Sequence, residues 1–149
     1  MATFTVDLDA TCPPDEAWRR IWNLDAHSRV IPLTRLRGDG TGGGQLRPGS
    51  TFIARTGLGP LAVDDVMTVR RFDAPTGETP GHAHVDKSGR VVHGNIDATV
   101  EGSSRGSHLT WTQEIRLLGV PRLADPVVAV VARAAYSSVL KQLLARDGG

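Results

Sequence analysis

Residues 122–146 read RLADPVVAVVARAAYSSVLKQLLAR, and this stretch predicts the long α-helix around which the rest of the chain is arranged. It is long enough for about seven turns. Apolar residues recur with helical spacing on one side of it, at Val128, Ala132, Ala135, Val139 and Leu143, while the other side carries Arg133, Ser137 and Lys141. Because the apolar side is mostly Val and Ala, with bulk only from Tyr136 onward, a sheet packed on it would leave space. We therefore expect room for a small ligand there.

The composition is that of one folded domain, and we expect a single domain over residues 1–149. Hydrophobic residues make up 40% of the chain and charged residues 22%, which is ordinary for globular proteins. A net charge of +1 argues against nucleic acid as a partner, because binding a polyanion needs clustered positive charge. No apolar run approaches about 20 residues, and the N-terminus alternates and carries acids. We therefore predict no membrane span and a cytoplasmic location.

Alternating and helical patterns divide the chain before residue 122 into strands and two short helices. Residues 3–10 alternate as a strand does, residues 12–22 begin with prolines and acids as a helix does, and a second helix over residues 24–30 must end before Pro32. A glycine-rich loop, residues 38–49, joins strands at 33–37 and 50–56; it lacks the Gly-Lys-Ser/Thr of a phosphate-binding loop. Further strands are predicted at 61–72, 82–87, 90–102 and 107–118. Seven strands followed by a long helix favour an α+β fold with an antiparallel sheet.

Five histidines are the side chains that titrate near neutral pH, and three of them meet at one predicted hairpin. A two-residue Ser-Gly loop at residues 88–89 would place Val85 opposite Val92 and His84 opposite His93. That register puts His82, His84 and His93 on the face opposite the apolar one. Surface imidazoles, a transition-metal site and an inward-facing acid or base are all open from the spacing, and we predict no metal or cofactor.

Strand alternation nominates residues for the wall of a ligand cavity. Trp111 and Gln113 share a face of the last strand, and Met67 lies on an apolar face of the long central strand. Arg55 and Asp65 have the parity of apolar neighbours, so either they face inward or a bulge turns them to water. Met67, Trp111 and Tyr136 could equally fill the core. With the small residues of the closing helix, the predicted ligand-binding set is Arg55, Met67, Trp111, Gln113, Val128, Ala132, Ala135 and Tyr136.

The whole chain resembles the START-like, or SRPBCC, superfamily of polyketide cyclase/dehydrase-like proteins. The resemblance rests on Pro14, Trp18, Leu24-Asp25 and Pro32 after the first strand, on GSTFIART ending at residue 56, on HLTWTQEI at residues 108–115, and on the closing helix. It implies the helix-grip fold, a seven-stranded curved sheet wrapped around the C-terminal helix. It also implies a cavity between sheet and helix for a lipid- or polyketide-like molecule. The high Arg, Ala and Gly content suggests a bacterial source.

Two functions of different classes follow from these patterns. The first is binding of a small hydrophobic or aromatic molecule without changing it. The second is a cyclase or dehydratase, for which His84, His93 or Asp65 would supply the base and Arg55, Gln113 or Tyr136 a donor. A hydrolase is disfavoured because no G-x-S-x-G is present.

Overall fold

The structure, a computed structural model, describes residues 2–145 of the chain. Its strands are β1 (Ala2–Ala10), β2 (Thr34–Gly38), β3 (Thr51–Thr56), β4 (Val63–Asp73), β5 (Gly81–Ser88), β6 (Val92–Ser103) and β7 (Gly106–Leu117). Its α-helices are α1 (Pro14–Ile21), α2 (Leu24–Val30) and α3 (Asp125–Ala145). Short 3₁₀ turns at Gly59–Leu61 and Arg122–Ala124 precede β4 and α3.

All seven strands form one antiparallel sheet in the order β1-β7-β6-β5-β4-β3-β2. The sheet is open, with β1 and β2 at its edges. Alternation gives it an inner, largely apolar face covered by the helices and an outer, polar face. The predicted α+β arrangement, with seven strands, two short helices after the first strand and a long closing helix, is confirmed.

The two short helices begin and end where local chemistry requires. α1 has Pro14 at its first position and Asp15 and Glu16 in its first turn, where a missing N–H costs nothing and negative charge is favoured. The Asn23 side chain accepts a hydrogen bond from the Ala26 N–H at 3.1 Å and so caps α2. Both helices bury their apolar sides against the inner face of the sheet and α3.

The predicted register of the β5–β6 hairpin is wrong by four residues. β5 ends at Ser88 and β6 begins at Val92, so the loop has three residues rather than two. Val85 pairs with Ile96, and His84 pairs with Asp97 rather than with His93. Because four is an even number, the shift leaves every side chain on its predicted face.

The closing helix follows its predicted bounds closely but is buried over less of its length. α3 begins at Asp125, and Arg146 lies outside the described residues. Its inward side carries Ala132, Tyr136, Val139, Leu140, Leu143 and Leu144. Only the three leucines are buried, and the other three residues are partly exposed. Ala135, predicted on the buried stripe, is exposed, because the side facing the sheet is centred about one position further along the helical wheel.

By length and composition alone, residues 122–145 could cross a membrane, which the sequence analysis did not expect. In the fold this segment packs against β1, α1 and α2. It carries Arg133 near its middle, whose Nε donates to the Thr5 carbonyl at 2.9 Å. We therefore assign it to the folded domain and not to a membrane span.

Candidate functional site

A partly open cavity of about 510 Å³ lies between the two short helices and the glycine-rich loop. Trp18 of α1, Trp22 just after it, Phe72 of β4, Leu46 of the loop and Leu143 of α3 form its apolar walls. Its rim is polar and includes Glu16, Arg19, Arg20, Asn23, Asp25 and Gln45. The cavity therefore opens at the end of the sheet where β4 ends. Helix α3 contributes one residue, Leu143, to its wall.

The glycine-rich loop is held over the cavity by Asp25 of α2. The Asp25 carboxylate accepts hydrogen bonds from the backbone N–H groups of Gly42 at 3.0 Å and Gly43 at 3.1 Å. These two bonds lower the pKa of the Asp25 carboxyl below its ordinary value, because they favour the ionised form. Gly42 and Gly43 both have positive φ, which glycine adopts without strain. The loop is thus a lip for the cavity and not a phosphate cradle.

Two indole groups of the cavity wall have unused hydrogen-bonding capacity. Trp18 Nε1 and Trp22 Nε1 are buried and find no hydrogen-bond partner among the described residues. An unpaired buried N–H costs about 1–3 kcal/mol, and such groups are normally satisfied by protein, water or ligand. Both residues also line the cavity.

An aromatic row leads from the cavity into the interior. The Trp22 ring stacks on Trp111 with centroids 5.5 Å apart, and Trp111 lies 6.2 Å from Tyr136. Trp111 Nε1 donates to Gln113 Oε1 at 3.0 Å, so the inward position predicted for Gln113 is observed. Its Nε2 has no partner among the described residues. Trp111 and Tyr136 thus lie behind the cavity wall, filling space that the small residues of α3 leave.

A buried ion pair lies at the far end of this row. The Lys87 ammonium, on a side chain 1% exposed, binds the Asp65 carboxylate and lies 3.4 Å from the Tyr136 hydroxyl. Burial alone would lower the pKa of Lys87, but Tyr136 and Asp65 beside it outweigh burial and hold that pKa above its ordinary value. Asp65 therefore faces inward, which is one of the two orientations that its sequence pattern left open, and it has an unexpected cationic partner.

Lys87 is the interior group that the sequence analysis missed. The signal was present, because Lys87 has the same parity as Ala83 and Val85, which lie on the buried face of β5. A lysine and an aspartate at inward positions of neighbouring strands indicate a buried pair. The usual preference of lysine for solvent obscured it.

Arg55, predicted as a cavity residue, is on the outer face. Phe52 and Ala54 take the inward positions of β3, and Arg55 is 51% exposed, 3.5 Å from Asp64. The inward prediction for Arg55 is wrong because the bulky Phe52 ring, opposite Met67, sets the parity of this strand.

The predicted histidines also lie on the outer face. Both His82 and His84 contact the Asp97 carboxylate, at 2.8 Å and 3.2 Å, and His84 lies 3.3 Å from Asp86. His93 is exposed at the start of β6, opposite Ser88. No group of three or more His, Cys, Asp or Glu within residues 2–145 is arranged to hold a metal ion. His84 and His93 are therefore remote from the cavity.

The helix residues predicted as cavity walls lie elsewhere as well. Ala132 packs on the core, while Val128 lines a separate gap of about 20 Å³ near the start of α3. Met67 is buried on the inner face, opposite Lys87. None of these three residues lines the 510 Å³ cavity.

Comparison with solved structures identifies the fold. The chain is similar to Ara h 8.0201, with a TM-score of 0.64 at 12% identity over 97% of this chain and 98% of that one. It is similar to TTHA0849 from Thermus thermophilus, with a TM-score of 0.70 at 12% identity over 95% and 94%. It is also similar to CV1439 from Chromobacterium violaceum, with a TM-score of 0.64 at 15% identity over 97% and 96%.

These similarities confirm the helix-grip fold and, at such low identity, show the fold alone. No protein-family model matches the chain. A search of curated proteins finds no match either.

Proposed function

We propose that this chain binds a small aromatic or hydrophobic molecule in the cavity between α1, α2 and the glycine-rich loop. The observation that carries the proposal is the cavity of about 510 Å³, whose walls are the apolar side chains of Trp18, Trp22, Phe72, Leu46 and Leu143 and whose rim is polar. Small-molecule sites typically have about 300–1,000 Å³, apolar walls and a few polar groups that fix orientation.

The cavity chemistry favours a neutral, flat ligand. Trp18, Trp22 and Phe72 present rings that favour a flat aromatic partner. The charged rim is already paired, since Glu16 binds both Arg19 and Arg20. A neutral aromatic molecule, such as a ketone, ether or lactone, therefore fits better than an acid or an amine.

A direct test is titration of the protein with 2-acetylnaphthalene, a neutral aromatic ketone, followed by tryptophan fluorescence and calorimetry. Ala74→Phe introduces a ring at an exposed rim position, and we expect it to weaken binding at least about tenfold by occupying the cavity. Ala132→Leu adds bulk between α3 and the sheet instead. Loss of binding in Ala132→Leu with normal binding in Ala74→Phe would move the site to the space between sheet and helix and refute the proposal.

The natural ligand can be sought without a guess. Native mass spectrometry of the protein purified from its own source would reveal a co-purifying molecule as an added mass. We expect a neutral aromatic compound that is absent from the Ala74→Phe protein prepared in the same way.

A second candidate function, a cyclase or dehydratase, is favoured by one observation, the cluster of Lys87, Asp65 and Tyr136. Ammonium, carboxylate and hydroxyl groups together could move protons to and from a ketone substrate. The cluster is separated from the cavity by the rings of Trp22 and Trp111, since Trp22 contacts Trp111 and Trp111 contacts Tyr136. A substrate would therefore have to extend beyond the cavity to reach it. Turnover of a synthetic poly-β-ketone that is lost in Tyr136→Phe, with binding retained, would support this function.

The cytoplasmic location expected from the sequence stays a prediction.

A further inference from the structure

The large hydrophobic side chains that solvent reaches are gathered at one end of the molecule. Within residues 2–145 they are Leu33, Leu58, Leu61, Leu118, Val120, Leu123, Val127, Val130 and Val131, which we call the apolar end. Leu123 is 95% exposed and Leu61 84%. Scattered single apolar residues are normal on a surface, but so many at one end of a molecule indicate an interaction site.

The sheet topology brings these residues together from four separate segments. In an antiparallel sheet the start of β2, the end of β3, the start of β4 and the end of β7 lie at the same end. Leu33 precedes β2, Leu58 and Leu61 lie between β3 and β4, and Leu118 follows β7. The Leu118 N–H donates to the Val91 carbonyl of the β5–β6 loop at 2.8 Å. Loops and the first turns of α3 therefore project side by side, away from the cavity at the opposite end.

The first turns of α3 are apolar on the side that faces solvent. Val127, Val130 and Ala134 follow one another along this side, and Val131 lies next to them. Further along the same side the residues become Ser137, Ser138 and Lys141, which with Arg133 line a shallow depression. The apolar side chains thus continue from the loops onto the first turns of α3, and the positively charged Arg133 and Lys141 follow them along the helix.

The charges around the apolar end are mainly basic. Arg90 lies in the β5–β6 loop, Arg116 near the end of β7, and Arg122 just before α3. Of the acids nearby, Asp64 is paired with Arg55 and Asp65 with Lys87. Asp125 lies beside Arg116 and Arg122 at the gap under the start of α3. The end combines protruding apolar tips with an excess of arginine.

We propose that the apolar end docks on the surface of a membrane that contains anionic lipids. The tips protrude from separate loops, and the depression that Val130 helps to line is shallow, so they suit a broad, deformable partner better than a peptide. Apolar side chains that enter the boundary between headgroups and acyl chains, with Arg and Lys at the headgroups, are the pattern of peripheral membrane binding. The proposal does not depend on the ligand cavity, because the two features lie at opposite ends of the sheet.

The test is sedimentation of the full chain with phosphatidylcholine vesicles and with mixed phosphatidylcholine and phosphatidylglycerol vesicles. We expect binding to the mixed vesicles that weakens at about 1 M salt, where charges are screened within about 3 Å. Leu61→Asp and Val130→Asp, in two different segments, should each weaken binding about tenfold or more, because each replaces an apolar anchor with a charge. Ser104→Asp is the matched control, since it adds the same charge in the exposed β6–β7 turn at the opposite end.

The proposal is overturned if the protein does not bind mixed vesicles, or if both substitutions leave binding unchanged while circular dichroism shows a folded protein. Light scattering tests the alternative partner of the apolar end, which is a second copy of the chain. A concentration-dependent dimer that Val130→Asp dissociates, in a protein that ignores vesicles, would assign the apolar end to self-association and refute membrane docking.

Discussion

Replacing Lys87 with methionine should destabilise the fold more than any surface change of charge. The substitution keeps most of the apolar stem of a side chain that is 1% exposed but leaves the Asp65 carboxylate, 18% exposed, without its cation. Breaking a buried ion pair by removing one partner costs about 3–5 kcal/mol. Asp65 retains some contact with water, so we expect Lys87→Met to cost about 3 kcal/mol, the lower end of that range.

Urea unfolding followed by tryptophan fluorescence measures this loss. With a slope of about 2 kcal/mol per molar urea, the midpoint should fall by about 1.5 M. Arg55→Met is the matched control, because it breaks the exposed Arg55–Asp64 pair and should cost at most about 1 kcal/mol. The double variant Lys87→Met with Asp65→Leu should recover most of the loss, since an apolar pair of similar volume replaces the charges. Equal costs for Lys87→Met and Arg55→Met, or a double variant less stable than Lys87→Met, would refute a buried, coupled pair.

Three further predictions concern other parts of the fold. Gly94→Ala should destabilise the protein by about 3 kcal/mol or more in the same urea assay, because φ is 141° and a Cβ would lie 1.8 Å from the Glu114 carbonyl oxygen. Burial lowers the pKa of His27, whose Nε2 donates to the Ile21 carbonyl at 2.7 Å. The neutral His27 side chain therefore stabilises the folded state fully above the ordinary pKa of 6.5. This stabilisation is lost as the pH falls below that value, because the unfolded chain then binds a proton more readily than the folded protein does. His27→Gln should flatten the dependence of the urea midpoint on pH between about 7 and 5, and an unchanged slope would contradict this. Asp25→Ala should release the glycine-rich loop, seen as faster amide hydrogen exchange there and weaker ligand binding, with the urea midpoint little changed.

Periodicity was enough to predict most of the architecture. Phe4 and Val6 alternate with exposed residues in β1, and Ala132, Val139 and Leu143 recur at helical spacing in α3. Both patterns exist because one side of each element must be buried, which is a local requirement that the sequence records directly. The order of strands and helices then restricts the fold to very few arrangements.

Properties that depend on contacts between distant residues could not be predicted in the same way. Register in the β5–β6 hairpin depends on where the chain turns, and the local sequence fits both a two-residue loop at 88–89 and the observed loop at 89–91. The orientation of Arg55 was decided by Phe52 packing across β3 and β4. The Lys87–Asp65 pair needed two strands to be aligned before either charge had a partner. In each case local patterns left two solutions, and tertiary packing selected one.

The position of the cavity follows from where bulky side chains can and cannot reach. Small residues on α3 leave space above the sheet, but Trp111 and Tyr136 extend into that space, with their ring centroids 6.2 Å apart. The glycines of the glycine-rich loop have no side chains to do the same, and Asp25 binds the backbone of Gly42 and Gly43 at the edge of the cavity. Volume therefore remains open beneath the loop rather than beneath the helix. A pattern of small residues indicates a cavity only where no larger neighbouring side chain fills the space. In this chain that condition is met beside the glycines of the loop and not beneath α3.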